Sequence, residues 1–131
     1  KAFIDYLKKN LPDINWHSAI LEDGEVREVH FAEAVAWACE QPNETFHVDK
    51  TKIGDWEVST IFSINNLTGN PDQPKHFETM TFYNGVKIKK HHSENVWRYE
   101  TLAEAKIGHN FVCYCRKQQE SKSHDRTWFN R

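Results

Sequence analysis

Glycine is scarce in this chain, with five in 131 residues, and none falls in a pattern that carries chemistry. There is no glycine-rich phosphate loop, no G-x-S-x-G, no Cys-Gly motif, no CxxC and no HExxH, so no catalytic residue stands out. Long apolar runs are also missing; none approaches the roughly 18 residues that a membrane-spanning helix needs. Neither sign of charge dominates, since 17 Lys and Arg face 19 Asp and Glu for a net −2. That near balance removes any overall electrostatic pull toward nucleic acid or an anionic membrane. Cysteine is limited to Cys39, Cys113 and Cys115. An odd count with Cys-x-Cys spacing fits reduced thiols of a cytoplasmic protein rather than a disulfide framework. The opening KAFIDYLKKNL lacks the apolar core and small-residue cleavage site of a secretion signal.

Aromatic residues, by contrast, are plentiful (five Trp, eight Phe, four Tyr), enough to build a core in one domain of this length. Two stretches organise it. In Asp55–Ile64 the residues Trp56, Val58, Thr60 and Phe62 alternate with Glu57, Ser59, Ile61 and Ser63. In His76–Tyr83 the residues Phe77, Thr79 and Thr81 alternate with Glu78, Met80 and Phe82. Period-2 alternation of β-branched and aromatic residues predicts two central strands.

Around them the chain reads as hairpins and helices. Phe3, Ile4, Leu7 and Leu11 share a helical face that Pro12 ends. Asp23-Gly24 is a tight-turn pair between strands in Ile14–Leu21 and Glu25–Val29. Phe31–Gln41 is a short helix with Phe31, Ala34, Val35 and Ala38 inward and with Trp37 and Cys39 beside or off that face. Thr45–Ile53 is a further strand. Asn84-Gly85 is the strongest turn signal and predicts a returning strand over Val86–Lys90. Lys89–Asn95 is a polar loop and Val96–Glu100 a short strand with Trp97 and Tyr99 on one side. Thr101-Leu-Ala-Glu104 is a capping box that opens a helix to about Lys117, with Leu102, Ala105, His109 and Val112 on one face. Gly108 inside that helix costs roughly 1 kcal/mol against Ala, which predicts close packing there. The expected fold is α+β: an antiparallel, hairpin-rich sheet of about five or six strands with two or three packed helices. Residues 1–117 form the domain and residues 118–131 a polar tail.

Three blocks occur in order: Val58-Ser-Thr-Ile-Phe62, then Phe77-Glu-Thr-Met80, then Arg98-Tyr-Glu-Thr with Glu104-Ala and Gly108-His109. Together they resemble a family of small phage and prophage proteins whose members carry V-S-T-[VI]-F, F-E-T-M and R-Y-x-T-x-x-E-A-x-x-G-H. The resemblance spans roughly Ile20 to Val112. It implies a phage-type accessory protein acting in the host cytoplasm, and no particular reaction.

The residues best placed for chemistry are Ser59, Glu78, Arg98 and His109, the candidate ligand-binding set. Glu78 within an apolar strand is either on an exposed face or semi-buried with a partner such as Arg98 or His109. Ser59 and Thr60 point to opposite faces of their strand, so both cannot line one cleft. Lys87, Lys89 and Lys90, with His91 and His92, are the candidate contacts for a nucleic-acid backbone. His109 and Cys113 are spaced i, i+4, but without a further ligand motif the expectation is no metal and no cofactor. The leading expectation is non-catalytic binding to a host protein, with inhibition of a host process or defence system as its effect. The alternative is a small-molecule or nucleotide pocket, with or without hydrolysis, around Glu78, Arg98 and His109. Nucleic acid is a less favoured partner and a membrane is not expected. Exposed sheet edges, or the N-terminal helix, leave room for a homodimer.

Overall fold

The computed structural model describes residues 2–10, 17–84, 86–87 and 96–129. Helix α1 (Ala2–Asn10) precedes a hairpin of β1 (Ala19–Glu22) and β2 (Glu25–Glu28). Asp23 and Gly24 at its turn both have positive φ, 52° and 79°, as a tight turn between right-twisted strands requires. Helix α2 (Phe31–Glu40) follows and contacts both α1 and β1; an ion pair joins Lys8 of α1 to Glu33 of α2. Then come β3 (His47–Ile53), β4 (Trp56–Phe62), β5 (Phe77–Tyr83), β6 (Val86–Lys87), β7 (Val96–Tyr99) and the long helix α3 (Leu102–Phe129).

The expected α+β architecture is present, as two antiparallel sheets and packed helices. β1 and β2 form a two-stranded sheet of their own. The other strands form a five-stranded sheet ordered β3-β4-β5-β6, in which β7 also pairs with β5. β4 and β5 are the central strands, in unbroken register from Trp56↔Tyr83 to Phe62↔Phe77. That register puts Val58, Thr60, Phe62, Phe77, Thr79 and Thr81 on one face, and α3 covers it. All six of these residues are buried. β3 extends the covered face with Asp49, Thr51 and Ile53 through the pairs Asp49↔Thr60, Thr51↔Val58 and Ile53↔Trp56.

Four local readings need correction. Asn43–Phe46 is a 3₁₀ turn closed by Thr45 N–H to the Pro42 carbonyl, so the strand expected from Thr45 begins at His47. Val48 is then an extra residue in the β3–β4 pairing, between His47↔Ile61 and Asp49↔Thr60. In α2 it is the small Ala32 and Ala34 that are buried. Trp37, expected beside or off the inward face, reaches the core and meets Phe46 and Phe62 edge-on at 5.7 and 6.0 Å. α3 continues through Phe129 rather than stopping near Lys117; no Pro or Gly follows Gly108 to end it. Of the strand expected over Val86–Lys90, Val86–Lys87 is β6; the remainder, and the loop Lys89–Asn95 up to Val96, lie outside the described residues.

Thr101 caps α3 as expected, with Glu104 reaching back to its hydroxyl rather than to its backbone N–H. The Glu104 backbone N–H donates to the Thr101 hydroxyl at 3.1 Å, and that hydroxyl donates to the Glu104 carboxylate at 3.0 Å. Gly108 has its reason as well: a Cβ there would overlap the Tyr99 ring of β7. The glycine lets helix and sheet approach at the level where the Tyr99 ring lies between them.

Candidate functional site

The interface between α3 and the sheet is polar to an unusual degree for a core. Thr60, Thr79, Thr81 and His109 are each at most 1 % exposed. The four residues come from β4, β5 and α3, and strand alternation is what turns all three threonines toward the helix. His109 is the hub. Its Nδ1 lies 2.7 Å from the Thr60 hydroxyl and its Nε2 2.9 Å from the Thr51 hydroxyl. Thr60 in turn shares a 2.6 Å hydrogen bond with Thr79. A neutral imidazole satisfies this arrangement, one ring nitrogen donating and the other accepting. Burial holds the His109 pKa below the ordinary imidazole value, against the Asp49 carboxylate, whose Oδ2 is 3.7 Å from Nε2.

Neighbouring groups extend the layer. Burial pushes the Cys113 thiol up, opposed by the Thr51 hydroxyl. It also pushes the Tyr99 phenol up; the Thr79 hydroxyl is near enough to oppose that shift but makes no hydrogen bond with it. At the far end Arg116 donates to Thr81 at 3.3 Å and to Gln119 at 2.6 Å, with its guanidinium 3.7 Å from the centre of the Trp56 ring. Burial lowers the Arg116 pKa, against Glu120.

Asp49, His109 and Thr60 stand in the order of a carboxylate, an imidazole and a hydroxyl, the sequence of groups used in nucleophilic catalysis. Here the hydroxyl is wholly buried and already bonded to Thr79. Two cavities open elsewhere. One of about 530 Å³ lies between the β1–β2 turn, Pro74 and the start of α3, and one of about 270 Å³ between Lys52, Gly54, Trp56 and Asn84. Neither is lined by His109 or Thr60. The imidazole and the hydroxyl of this network are thus both buried, and each is held by a neighbouring hydroxyl.

The candidate ligand set divides between the two faces of the sheet. Glu78 and Arg98 are cross-strand partners, with Arg98 Nη2 and Nε at 3.2 and 3.3 Å from the same Glu78 oxygen. The register puts Ser59 on that same face, opposite Met80. His109 lies beneath α3 on the other face, so the sheet separates it from Ser59, Glu78 and Arg98. Of the two cations considered for Glu78, Arg98 makes the ion pair and His109 does not. Lys87 is in β6, while Lys89 and Lys90 lie outside the described residues. His109 and Cys113 are both buried against the sheet. Among the described residues no three or more His, Cys, Asp or Glu side chains gather as a metal-ligand set.

Sequence reasoning weighed Thr60 against Ser59 as a cleft residue but passed over Thr79 and Thr81 as ordinary strand residues. The signal was present in Thr79 and Thr81 alternating with apolar neighbours on a buried strand, opposite Thr60. Three hydroxyls on a covered face require partners.

Compared with protein-family models, with curated proteins and with solved structures, the chain gives no match. Among the described residues no helix is long and apolar enough to cross a membrane.

Proposed function

We propose that this protein acts by binding rather than by catalysis. It is a phage-type accessory protein that docks on a host protein in the cytoplasm and blocks a host process or defence system. One observation carries the reading: the outward ridge of α3. Ile107, Phe111 and Tyr114, at i, i+4 and i+7, are 71 %, 59 % and 61 % exposed. This spacing places three large apolar side chains in one line, the pattern by which a helix seats in an apolar groove.

The surroundings describe the partner. Lys106 and Lys117, both exposed, flank one margin of the ridge, which suits a groove with an acidic rim. The ridge ends at Glu104 and Gln118, too short a seam for a coiled coil with a second copy. A second copy packed antiparallel across Phe111 would also bring Lys106 of one chain level with Lys117 of the other. The β3 edge is equally ill suited to self-pairing, since it carries the Val48 bulge with Lys50 and Lys52 exposed.

The test is affinity capture of the tagged chain from nuclease-treated host lysate, beside Phe111→Ser and Lys106→Glu/Lys117→Glu. The expected result is one stoichiometric protein, lost with the first variant and weakened by the second, whose cross-links to the ridge map to an acidic-rimmed groove. An empty capture, or a partner held equally by all three proteins, overturns the reading.

A further inference from the structure

The larger of the two cavities, about 530 Å³, is framed by three segments that lie far apart in the chain. Gly24, Glu25 and Val26 come from the β1–β2 turn, Pro74 from the loop before β5, and residues 100–103 from the start of α3. Its volume falls within the roughly 300–1,000 Å³ typical of small-molecule sites. The turn and the helix nearly meet where they frame it, since a Cβ on Gly24 would stand 3.6 Å from Leu102 Cδ2. Val26, Pro74 and Leu102 are half-buried and form an apolar wall. Val26 is fixed there beside its cross-strand partner Leu21, both packed against the core of Ala19, Phe62, Phe77 and Ala105.

The charge on this lining has one sign. Glu25 and Glu100 are both exposed, and no Lys, Arg or His is among the described residues that line the cavity. Among the described residues neither carboxylate has an ion-pair partner. The hairpin register sharpens the imbalance: Glu22 and Glu25 are directly opposite one another, and Arg27 pairs with Glu22 at 3.2 Å. Like charges opposite one another across two strands are destabilising, and the single cation of this hairpin is engaged by Glu22. The start of α3 does not reverse the sign. Free N–H groups at a helix N-terminus favour an anion, but here the Glu104 carboxylate already stands there, 3.0 Å from the capping Thr101 hydroxyl. The cavity of about 270 Å³ has no such imbalance, because Lys52 lines it together with Asp55 and Glu57.

We propose that this cavity binds an organic cation, an ammonium or guanidinium group carried on an apolar body. The apolar body covers Val26, Pro74 and Leu102, and the cation answers the charge of Glu25 and Glu100. Burial of the body supplies most of the affinity, because water and salt weaken the attraction to exposed carboxylates. A neutral molecule of the same shape lacks the electrostatic part, and an anion is repelled. Such a cation comes either as a free amine or as an Arg or Lys side chain presented by a protein.

The test follows the backbone amide signals of the isotope-labelled full chain by NMR as benzamidine is added to about 20 mM, enough to detect a millimolar ligand. Benzamide and benzoate, close in shape but neutral and anionic, are the controls. Benzamidine should move the amides of Gly24, Glu25, Val26, Leu102 and Ala103 together and saturably, and the controls should move them much less. Glu25→Gln and Glu100→Gln should each weaken binding by roughly two- to fivefold, as the loss of an exposed ion pair does. Ala103→Phe, at an exposed position of α3, should fill the cavity and abolish binding. A capped arginine peptide titrated in parallel separates the two sources. Tighter binding of the peptide assigns a partner's side chain, and tighter binding of benzamidine a free amine. No shifts at these amides, shifts as large with benzamide or benzoate, or binding undiminished in the double Glu25→Gln/Glu100→Gln variant overturns the proposal. The outcome is independent of the α3 ridge, whose first residue, Ile107, lies beyond those that line the cavity.

Discussion

The Thr60 hydroxyl bridges His109 and Thr79, 2.7 Å from the Nδ1 of one and 2.6 Å from the hydroxyl of the other. All three residues are fully buried, so this single oxygen joins β4, β5 and α3 where water cannot substitute for it. Thr60→Val keeps the shape and removes the oxygen, leaving His109 Nδ1 with no partner. The expected loss is about 1–3 kcal/mol of unfolding free energy, the cost of one unsatisfied buried polar group. Urea denaturation checks it, and a change below the error of the measurement would show that the network contributes no stability.

Acid should loosen the protein through its buried histidines. Burial depresses the folded-state pKa of both His76 and His109. The unfolded chain, with imidazoles near the usual value of about 6.5, therefore binds protons first as pH falls. Their contribution is fully present above that value and is lost progressively below it, as the pH falls through the depressed folded pKa values. Thermal melts at pH 7.5 and 5.5 should show lower stability at the acid end. The difference should shrink in His109→Gln; an unchanged difference would assign the acid sensitivity to other groups.

Gly108→Ala offers a test of opposite sign to helix propensity. In an exposed helix this change stabilises by about 1 kcal/mol. Against the Tyr99 ring the new methyl has no space, so a net destabilisation of about 1–3 kcal/mol is expected from overpacking. A more stable variant would show that α3 and β7 are not in close contact.

The Glu78–Arg98 pair sits on the sheet face away from α3, with Glu78 nearly buried and Arg98 half-exposed. Arg98→Ala strands a carboxylate and should cost about 1–2 kcal/mol, below the value for a fully buried pair because water reaches the guanidinium. Glu78→Gln should cost less. A double-mutant cycle measures the coupling, and zero coupling would make the contact incidental.

Phe111→Ser removes an exposed ring and should leave stability within about 0.5 kcal/mol of the parent. If the melt shifts by much more, the ridge is part of the core packing and loses its standing as a docking surface.

Much of this fold is written in local pattern. Alternation marked β4 and β5, Asp23-Gly24 marked a hairpin, and Thr101 with Glu104 marked the start of α3, because each depends on residues a few positions apart. Even the need for close packing at Gly108 was legible, although Tyr99 as the neighbour was not. What local pattern misjudged was anything set by contact over distance. Trp37 is in the core because Phe46 and Phe62 lie where its long side chain reaches. The tail reads as polar and outside the domain, yet nothing in it halts a helix already begun.

The candidate site shows the same division. The sequence by itself determined that Glu78, Arg98 and His109 have the chemistry of a pocket, and that Glu78, if buried, would need a cation. Only the tertiary structure decided that β-strand register gives Glu78 to Arg98 on one face, while α3 carries His109 to the threonines on the other. A β-sheet is one residue thick, and alternation sends neighbours along a strand to opposite sides. Which side a helix then covers depends on packing between distant segments, and no short stretch of sequence contains that information.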